Sequence, residues 1–441
     1  MAFSLRGVHV PHRKNTAEMP AVRMEPPKSV TLPMSMHIGA PAKPIVKVGD
    51  AVKVGTLVAE AGGALSSPIY ASVSGKVTKI ADYLLSDGRT VPAIVIGSDG
   101  EMTPDESVIP PVVNSREDFI EAVKNAGIVG LGGAGFPTYF KLNVDPAKIE
   151  YLVVNGAECE PYVTSDTRTM LDRGDDIAAA LEAMKRYLGI RNVVIGIENN
   201  KKSAIEAMEQ LAAQVSGDAC TVAVKSLPAV YPQGGEKVLI YHTTGRAVPA
   251  GKLPIDVGCI VINCTTLAAI GAYLTSGMPL VEKCVTVDGG AVKERKNLII
   301  PIGTSMEDVF AHCGGFTVDP AKVIYGGPMM GITVPSIDAP ILKNTNAVLA
   351  LTEREVKTPK TTACIRCGSC TNTCPFGLNP AAIARAYQKR DAEALNALAL
   401  ATCMECGCCS FVCPANRPLV QTNKLGKVFL REEKAKEEGK S

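Results

Sequence analysis

Apolar positions recur with two different periods along this 441-residue chain, and the changes of period divide it. Between residues 45 and 96, Val46, Val48, Val52, Val54, Leu57 and Val58 fall in short runs broken by Gly49-Asp50, Gly55, Gly62-Gly63 and Gly75. Short strands joined by tight turns are expected there, in a small β-sandwich or flattened barrel. Residues 1–28 are basic, Pro-rich and aperiodic, and read as an arm; 29–100 is bounded as the first domain and 101–116 as a linker. Over 117–281 strands alternate with helices. Residues 117–125 read as a helix, 151–155 as a buried strand, 193–197 and 221–224 as further strands. Ile177, Leu181, Met184 and Leu188, and then Ile205, Met208, Leu211 and Val215, recur at helical spacing between them. That alternation predicts a mostly parallel sheet with helices on its faces. Strands and turns return over 282–345 with one helix near 305–312, 346–430 forms a last domain, and the charge-dense 431–441 reads as a frayed tail. The expected class is therefore multidomain, α/β together with α+β.

Composition narrows the functions. Lys+Arg number 46 against Asp+Glu 44, which argues against nucleic acid or an anionic membrane surface as a main partner. Residues 257–281 carry no charge and are long enough to span a bilayer, but Asn263, Thr265, Thr266, Gly271 and Pro279 suit a buried strand followed by a buried helix. Residues 1–15 lack the apolar run of a secretory signal. Cys159, Cys220, Cys259, Cys264, Cys284 and Cys313 then read as reduced core thiols.

The other cysteines are patterned. Cys364, Cys367, Cys370 and Cys374, followed by Pro375, spell C-x₂-C-x₂-C-x₃-C-P, and Cys403, Cys406, Cys409 and Cys413, followed by Pro414, repeat it. In this spacing three thiolates of one loop wrap a [4Fe–4S] cubane and the fourth crosses to the other cluster. Cys364, Cys367, Cys370 and Cys413 are thus assigned to a first cluster, and Cys374, Cys403, Cys406 and Cys409 to a second. Cys408 is off the pattern and reads as a spare thiol. Between the motifs, Asn379-Pro380 marks a helix start, with helix formers over 381–390 and 392–399. The module resembles the helical two-cluster ferredoxin type, which moves electrons singly.

A second site is suggested by Gly130, Gly132, Gly133 and Gly135, followed by Phe136-Pro137. The G-x-G-x-x-G spacing follows a helix rather than a strand, yet bare backbone still admits a phosphate or a ring, and Lys141 would add a cation one turn into the next helix. Asn155, Glu158 and Glu160 directly follow a buried strand, where ligands of open α/β sheets bind. Asn155 is a candidate for a flavin edge, and Glu158 or Glu160 for ribityl or ribose hydroxyls.

Three resemblances join these segments. VKVGDAVKVGTLVAEAGG with SPIYASVSGKVTKI resembles the lipoyl/biotinyl barrel-sandwich hybrid, but residues 65–71 offer no carrier lysine and Lys76 lies beyond the turn, so a structural or docking role is expected. The glycine loop and NGAECEPY (residues 155–162) resemble the NADH-binding flavoprotein subunit of respiratory complex I, with Ala157 where that family carries an acid. That resemblance implies non-covalent FMN as cofactor and NAD(H) as substrate in a Rossmann-like domain. It also picks out Glu198, residues 234–237, Asn263 and Thr266, with Phe136 as a stacking candidate. Over nearly its whole length, through a β-grasp domain of the soluble-ligand-binding (SLBB) type ending in GGPMMG (326–331), the chain resembles the RnfC family of the Rnf complexes, membrane-bound ferredoxin–NAD⁺ oxidoreductases. The family implies a peripheral protein on the cytoplasmic face of the membrane. Its expected partners are the other Rnf subunits, including a ferredoxin-like cluster protein and integral membrane subunits, with ferredoxin itself met indirectly. Two alternatives share parts of this pattern: a soluble cobalamin reductase of bacterial microcompartments, and a docking protein with clusters but no nucleotide chemistry.

Overall fold

Alternating buried and exposed positions close residues 29–98 into two small antiparallel sheets. One orders Ser29–Pro33, Thr90–Ser98, Gly75–Leu84 and Ala51–Val52; the other orders Lys43–Pro44, Leu57–Glu60 and Ile69–Tyr70. Leu32, Val58, Ile69, Ile94 and Ile96 fill the space between them, and the same apolar cluster continues into Phe119, Val123 and Ile128 of the next domain. This computed structural model describes residues 6–356 and 359–438. Where a carrier domain would expose its hairpin tip, Ser66 and Ser67 are buried, and Ser67 Oγ donates to the Gly127 carbonyl at 3.1 Å. The tip is consumed by packing.

The second sheet is wholly parallel, in the order Thr221–Leu227, Asn192–Glu198, Tyr151–Asn155, Cys259–Asn263. Chain order reverses between the last two strands, so their carboxyl ends, Asn155 and Asn263, form the switch point at which such sheets leave a crevice. The uncharged stretch after residue 257 is the strand Cys259–Asn263 followed by the helix Cys264–Ser276. That helix lies so close to its neighbour Gly174–Leu188 that a Cβ on Gly271 would fall 1.8 Å from the Asp176 carbonyl oxygen.

The third sheet has six strands, in the order Ala21–Arg23, Lys296–Pro301, Glu282–Asp288, Ala347–Leu351, Lys322–Tyr325, Ile332–Thr333. Two of them fall outside the limits expected from sequence. Ala21–Arg23 belongs to the arm and pairs in parallel with Lys296–Pro301. Ala347–Leu351 lies beyond residue 345 yet sits mid-sheet with every residue buried. Its unbroken apolar run is what a central strand requires.

The last domain is helical. Its two cysteine loops repeat one backbone shape: Arg366 and Glu405 are left-handed (φ 57° and 62°), Gly368 and Gly407 likewise (77° and 81°), and each loop runs into a four-residue helix. Of the segment expected to fray, residues 431–438 are instead the end of the helix Leu419–Glu438, held partly by the Lys436–Glu433 ion pair at 2.7 Å, while 439–441 lie outside the described residues. Charge density misleads there because i,i+3 and i,i+4 pairing of opposite charges also stabilises a helix.

Lys343 joins three modules. It is fully buried, and its ammonium donates to the carbonyls of Pro68 (2.5 Å) and Gly127 (2.8 Å) and to Ser67 Oγ (3.1 Å). Burial lowers its pKa to about 7. Lys343→Met should cost about 1–3 kcal/mol in urea unfolding, because the Pro68 carbonyl loses the lysine donor and the Gly127 carbonyl keeps only Ser67. Between the folded pKa and the ordinary lysine value the unfolded chain binds more protons than the folded one, so the stability of the wild type rises with pH through that window as the cost of burying a charged Lys343 is removed. The wild type should therefore gain further on the variant from pH 7 to 9. A constant difference across that range would contradict the burial.

Candidate functional site

The glycine loop is fixed along both of its arms and, at its tip, through the Gly133 carbonyl. Gly130 N–H donates to the Phe136 carbonyl at 2.8 Å, closing the turn, and Gly135 takes φ 68°. Leu131 N–H donates to Thr266 Oγ1 at 2.9 Å. The buried Lys283 ammonium, from the third sheet, donates to the Leu131 carbonyl, and Asn344 Nδ2 donates to the Gly133 carbonyl at 2.6 Å. Ile38 N–H of the first domain meets the Gly135 carbonyl at 3.0 Å. Residues 132–134 remain exposed. A Cβ on Gly132 would lie 2.7 Å from Asn263 Nδ2, whereas one on Gly133 would meet nothing within 4 Å. The tip thus stands over the switch point with its bare backbone open, a cradle for a planar or phosphate-bearing ligand.

At the strand ends, Asn155 is half-buried and donates to the Gly234 carbonyl at 2.9 Å. Asn263 caps the helix that follows it, accepting from the N–H groups of Thr265 (3.0 Å) and Thr266 (3.2 Å), and donates to Asp166 Oδ2 at 2.8 Å. Lys141 pairs with Glu236 at 2.9 Å, both partly exposed. The helix carrying Lys141 is only Thr138–Leu142, too short for the N-terminal anion site expected of it. Phe136 is half-buried, with its ring edge-on to Phe140.

The three candidate carboxylates face protein rather than the crevice. Glu158 is buried, and its oxygens accept from Asp166 N–H (2.7 Å) and Thr167 Oγ1 (2.6 Å), capping the helix Ser165–Asp172. Glu160 accepts from the N–H groups of Met329 (3.0 Å) and Met330 (2.8 Å), tying the GGPMMG loop to this domain. Glu198 pairs with the buried Lys201 at 2.8 Å. Without a ligand, the oxygens of Glu158 and Glu160, expected as hydroxyl acceptors, are engaged by protein donors. Burial raises both Glu158 and Glu160 to about 7, although Lys14 beside Glu158 and the two amide donors on Glu160 pull the other way.

Sequence reasoning misses Lys14, which lies in the arm. Its ammonium donates to the carbonyls of Glu158 (2.7 Å), Glu160 (2.8 Å) and Val163 (2.6 Å), and burial with Lys201 nearby lowers its pKa to about 8. Glu158 and Tyr162 hold left-handed φ of 46° and 68°, and this lysine meets the carbonyls that such a contorted loop turns inward. No sequence signal distinguishes Lys14 from its basic neighbours.

The patterned cysteines surround two cavities. Cys364, Cys367, Cys370 and Cys413 line one of about 440 Å³, together with Asn379, Arg385 and Arg417. Cys374, Cys403, Cys406 and Cys409 line a tighter one, joined by Cys408. Each cavity draws three thiols from one motif and one from the other. Among the described residues no three His, Cys, Asp or Glu side chains are drawn together closely enough to hold a single metal ion. Four soft thiol donors around a cavity fit a cubane instead. Cys403 Sγ already accepts from Glu405 N–H and Asn423 Nδ2, both at 3.4 Å, as a cluster thiolate would.

Comparison with known proteins follows the same segmentation. Residues 3–101 match the family model described as the RnfC barrel sandwich hybrid domain, 123–272 the Nuo51 FMN-binding domain, 284–333 the SLBB domain and 357–414 the 4Fe-4S dicluster domain. The chain is 43% identical over 391 residues to the C component of the proton-translocating ferredoxin:NAD(+) oxidoreductase complex of Clostridium ljungdahlii, covering 87% of this chain and 84% of that protein. It is 43% identical over 390 residues to the corresponding component of the Na(+)-translocating complex of Acetobacterium woodii, covering 87% of each. With the C component of the ion-translocating oxidoreductase complex of Rhodobacter capsulatus it shares 41% over 443 residues, 99% of this chain and 85% of the other.

The glycine geometry separates two neighbouring substitutions. Gly132→Ala drives a methyl into Asn263, which its hydrogen bonds hold in place, and should destabilise by about 1–3 kcal/mol. Gly133→Ala should stay within about 0.5 kcal/mol. Urea unfolding of the two variants decides, and equal losses would contradict this placement of the loop.

Proposed function

The chain belongs to the RnfC family, the C components of the Rnf ion-translocating ferredoxin:NAD⁺ oxidoreductases, and from that membership we propose how its residues divide the work. It is a flavo-iron–sulfur oxidoreductase subunit, with FMN and two [4Fe–4S] clusters as cofactors and NAD(H) as substrate. When bound, flavin would supply the conversion between the electron pair of a single hydride and the single electrons that a cubane carries.

The exposed tip at residues 132–134, with Asn155, Asn263 and Thr266 at the strand ends, would receive FMN and NAD(H). Gly130 and Gly135 shape the turn, Phe136 flanks it, and Lys141 offers a cation at its rim. Glu158, Glu160 and Glu198 hold the walls: they fix the loop over 156–162 and the GGPMMG loop so that the crevice keeps its shape. Cys364, Cys367, Cys370 and Cys413 would hold the first cluster; Cys374, Cys403, Cys406 and Cys409 the second. The observation that carries this reading is the sharing of eight patterned cysteines between two cavities in the chain that also bears the open glycine tip.

Among the described residues no helix is long and apolar enough to cross a membrane. Ion translocation is therefore assigned to integral subunits, on whose cytoplasmic face this chain would dock beside a ferredoxin-like cluster protein, with ferredoxin reaching it indirectly. The domain limits proposed are 29–100, 117–281, 282–351 and 352–430, the boundary expected at 345/346 moved so that the third domain includes its central strand.

Gly133→Val places a branched side chain in the open tip. It should abolish bleaching of the flavin absorbance by NADH while leaving both cluster EPR signals after anaerobic reconstitution, and unchanged NADH turnover would refute the crevice. Cys374→Ser, although in the first motif, should remove the second cluster's signal and spare the first. Loss of the first alone would reverse the ligand assignment.

A further inference from the structure

Among the described residues, the hydrogen bonds that join the last domain to the rest of the chain converge on Gly7 of the arm and Tyr231 of the second domain. Thr373 Oγ1 donates to the Gly7 carbonyl at 2.6 Å. Tyr231 OH donates to the Cys406 carbonyl at 2.7 Å, and Cys408 Sγ donates to the Tyr231 carbonyl at 3.9 Å. The two residues are themselves locked together. Val8 N–H donates to the Tyr231 carbonyl at 2.8 Å and Tyr231 N–H to the Val8 carbonyl at 3.0 Å, an antiparallel bridge. The backbones run so close that a Cβ on Gly7 would fall 2.3 Å from the Tyr231 carbonyl oxygen. Val8, Val10 and Tyr231 are buried with Cys406 and Cys408, and Cys159, Met329 and Met404 pack around them.

Farther along, the arm is anchored. The His12 carbonyl accepts from Tyr162 N–H at 2.9 Å, Thr16 Oγ1 meets Thr164 Oγ1 at 2.6 Å, and Asn297 Nδ2 donates to the Thr16 carbonyl at 2.8 Å. The strand Ala21–Arg23 then joins the third sheet. Residues 6–10 thus reach from a fixed base onto the last domain. The covalent approach to that domain offers no such hold, because residues 359–363 are exposed and without regular structure. Domains that share only a small apolar joint move relative to one another unless something pins them. The pin also touches the crevice: Tyr231 leads directly into residues 232–234, and the Gly234 carbonyl accepts from Asn155 Nδ2 at 2.9 Å. One short segment therefore meets the crevice at one end and the second cysteine loop at the other.

We propose that Gly7, Val8 and Tyr231 form a clasp that holds the second cysteine cavity at a fixed spacing from the crevice, and that they are positioning residues for the passage of electrons between the two. The proposal rests on reading the crevice as the flavin site and that cavity as a cluster site. Electron transfer falls steeply with distance, so a loosened clasp slows the passage while the groups that would hold either cofactor stay in place. Glycine is required at residue 7 because any side chain there meets the Tyr231 carbonyl.

The test uses the full chain, reconstituted anaerobically with iron, sulfide and FMN, as wild type and as Gly7→Val, Val8→Pro and Tyr231→Phe. The first variant forces the arm off Tyr231, the second removes the Val8 N–H donor, and the third removes the hydroxyl that reaches the Cys406 carbonyl. Stopped-flow bleaching of the flavin by NADH should keep its wild-type rate in all three, with flavin and iron contents unchanged. Cluster reduction, followed by freeze-quench EPR, should slow about tenfold in Gly7→Val and Val8→Pro, and by less in Tyr231→Phe, which keeps the main-chain bridge. Val8→Ile, which also keeps that bridge, should match the wild type. Hydrogen exchange gives a readout independent of turnover: residues 231–236 and 403–409 should exchange faster in the slowed variants, and residues 259–276 should not. Cluster reduction at the wild-type rate in Gly7→Val and Val8→Pro would overturn the clasp and leave the cofactor sites standing. Loss of flavin or iron from all three variants would assign the arm to folding alone and equally overturn it. A wild-type chain whose flavin bleaches with no cluster reduced would overturn the parent reading, and the clasp with it.

Discussion

Loops that carry ligands present backbone carbonyls to the protein interior, and each one left without a donor costs about 1–3 kcal/mol. This chain meets that constraint with lysine ammonium groups reaching across module boundaries. Lys14 of the arm satisfies the loop that follows the strand Tyr151–Asn155, Lys283 of the third sheet satisfies the glycine loop, and Lys343 satisfies the turn where the first two domains meet. A glycine loop has no side chains with which to hold itself, so its shape must come from its neighbours. The crevice is therefore a property of the assembled domains, and the first and third domains act as its scaffold.

The same logic accounts for the carboxylates. Glu158 and Glu160 sit in a segment bent through left-handed backbone at two non-glycine residues, and both spend their oxygens on amides that the bend and the neighbouring loop leave unpaired. Burial holds their pKa values up near 7. Glu160 also stands within 3.5 Å of the Tyr231 hydroxyl, which reaches the Cys406 carbonyl. The walls of the crevice and the roof of the second cysteine cavity are in this way one continuous structure.

Much of this is legible in the sequence because its signals are local. The cysteine spacing yields the partition between the two cavities, since x₂-x₂-x₃ intervals leave few ways for three thiols to face inward together. The alternation over 117–281 yields the parallel sheet, whereas its strand order and switch point come only from the fold. What escapes depends on contacts distant in sequence. Lys14 is one cation among several until the fold sets it beneath three carbonyls. The pairing of Ala21–Arg23 with Lys296–Pro301 joins segments with no shared pattern, and Glu158 reads as an acceptor for ligand hydroxyls until its burial against Asp166 and Thr167 is seen. The strand Ala347–Leu351 is an apolar run in its own right, but a domain limit drawn ahead of the cysteines cuts it away. Fold class is carried by periodicity, whereas the roles of single polar residues are carried by topology.

One polypeptide thus joins an open glycine tip at a sheet switch point to two four-thiol cavities. An anaerobic titration of the reconstituted chain with NADH, followed together by flavin absorbance and EPR, tests that union most directly. One bound FMN and about eight irons per chain are expected, with flavin bleaching accompanied by reduction of a cluster. Full iron loading with no flavin bound, even with riboflavin phosphate in excess, would contradict it.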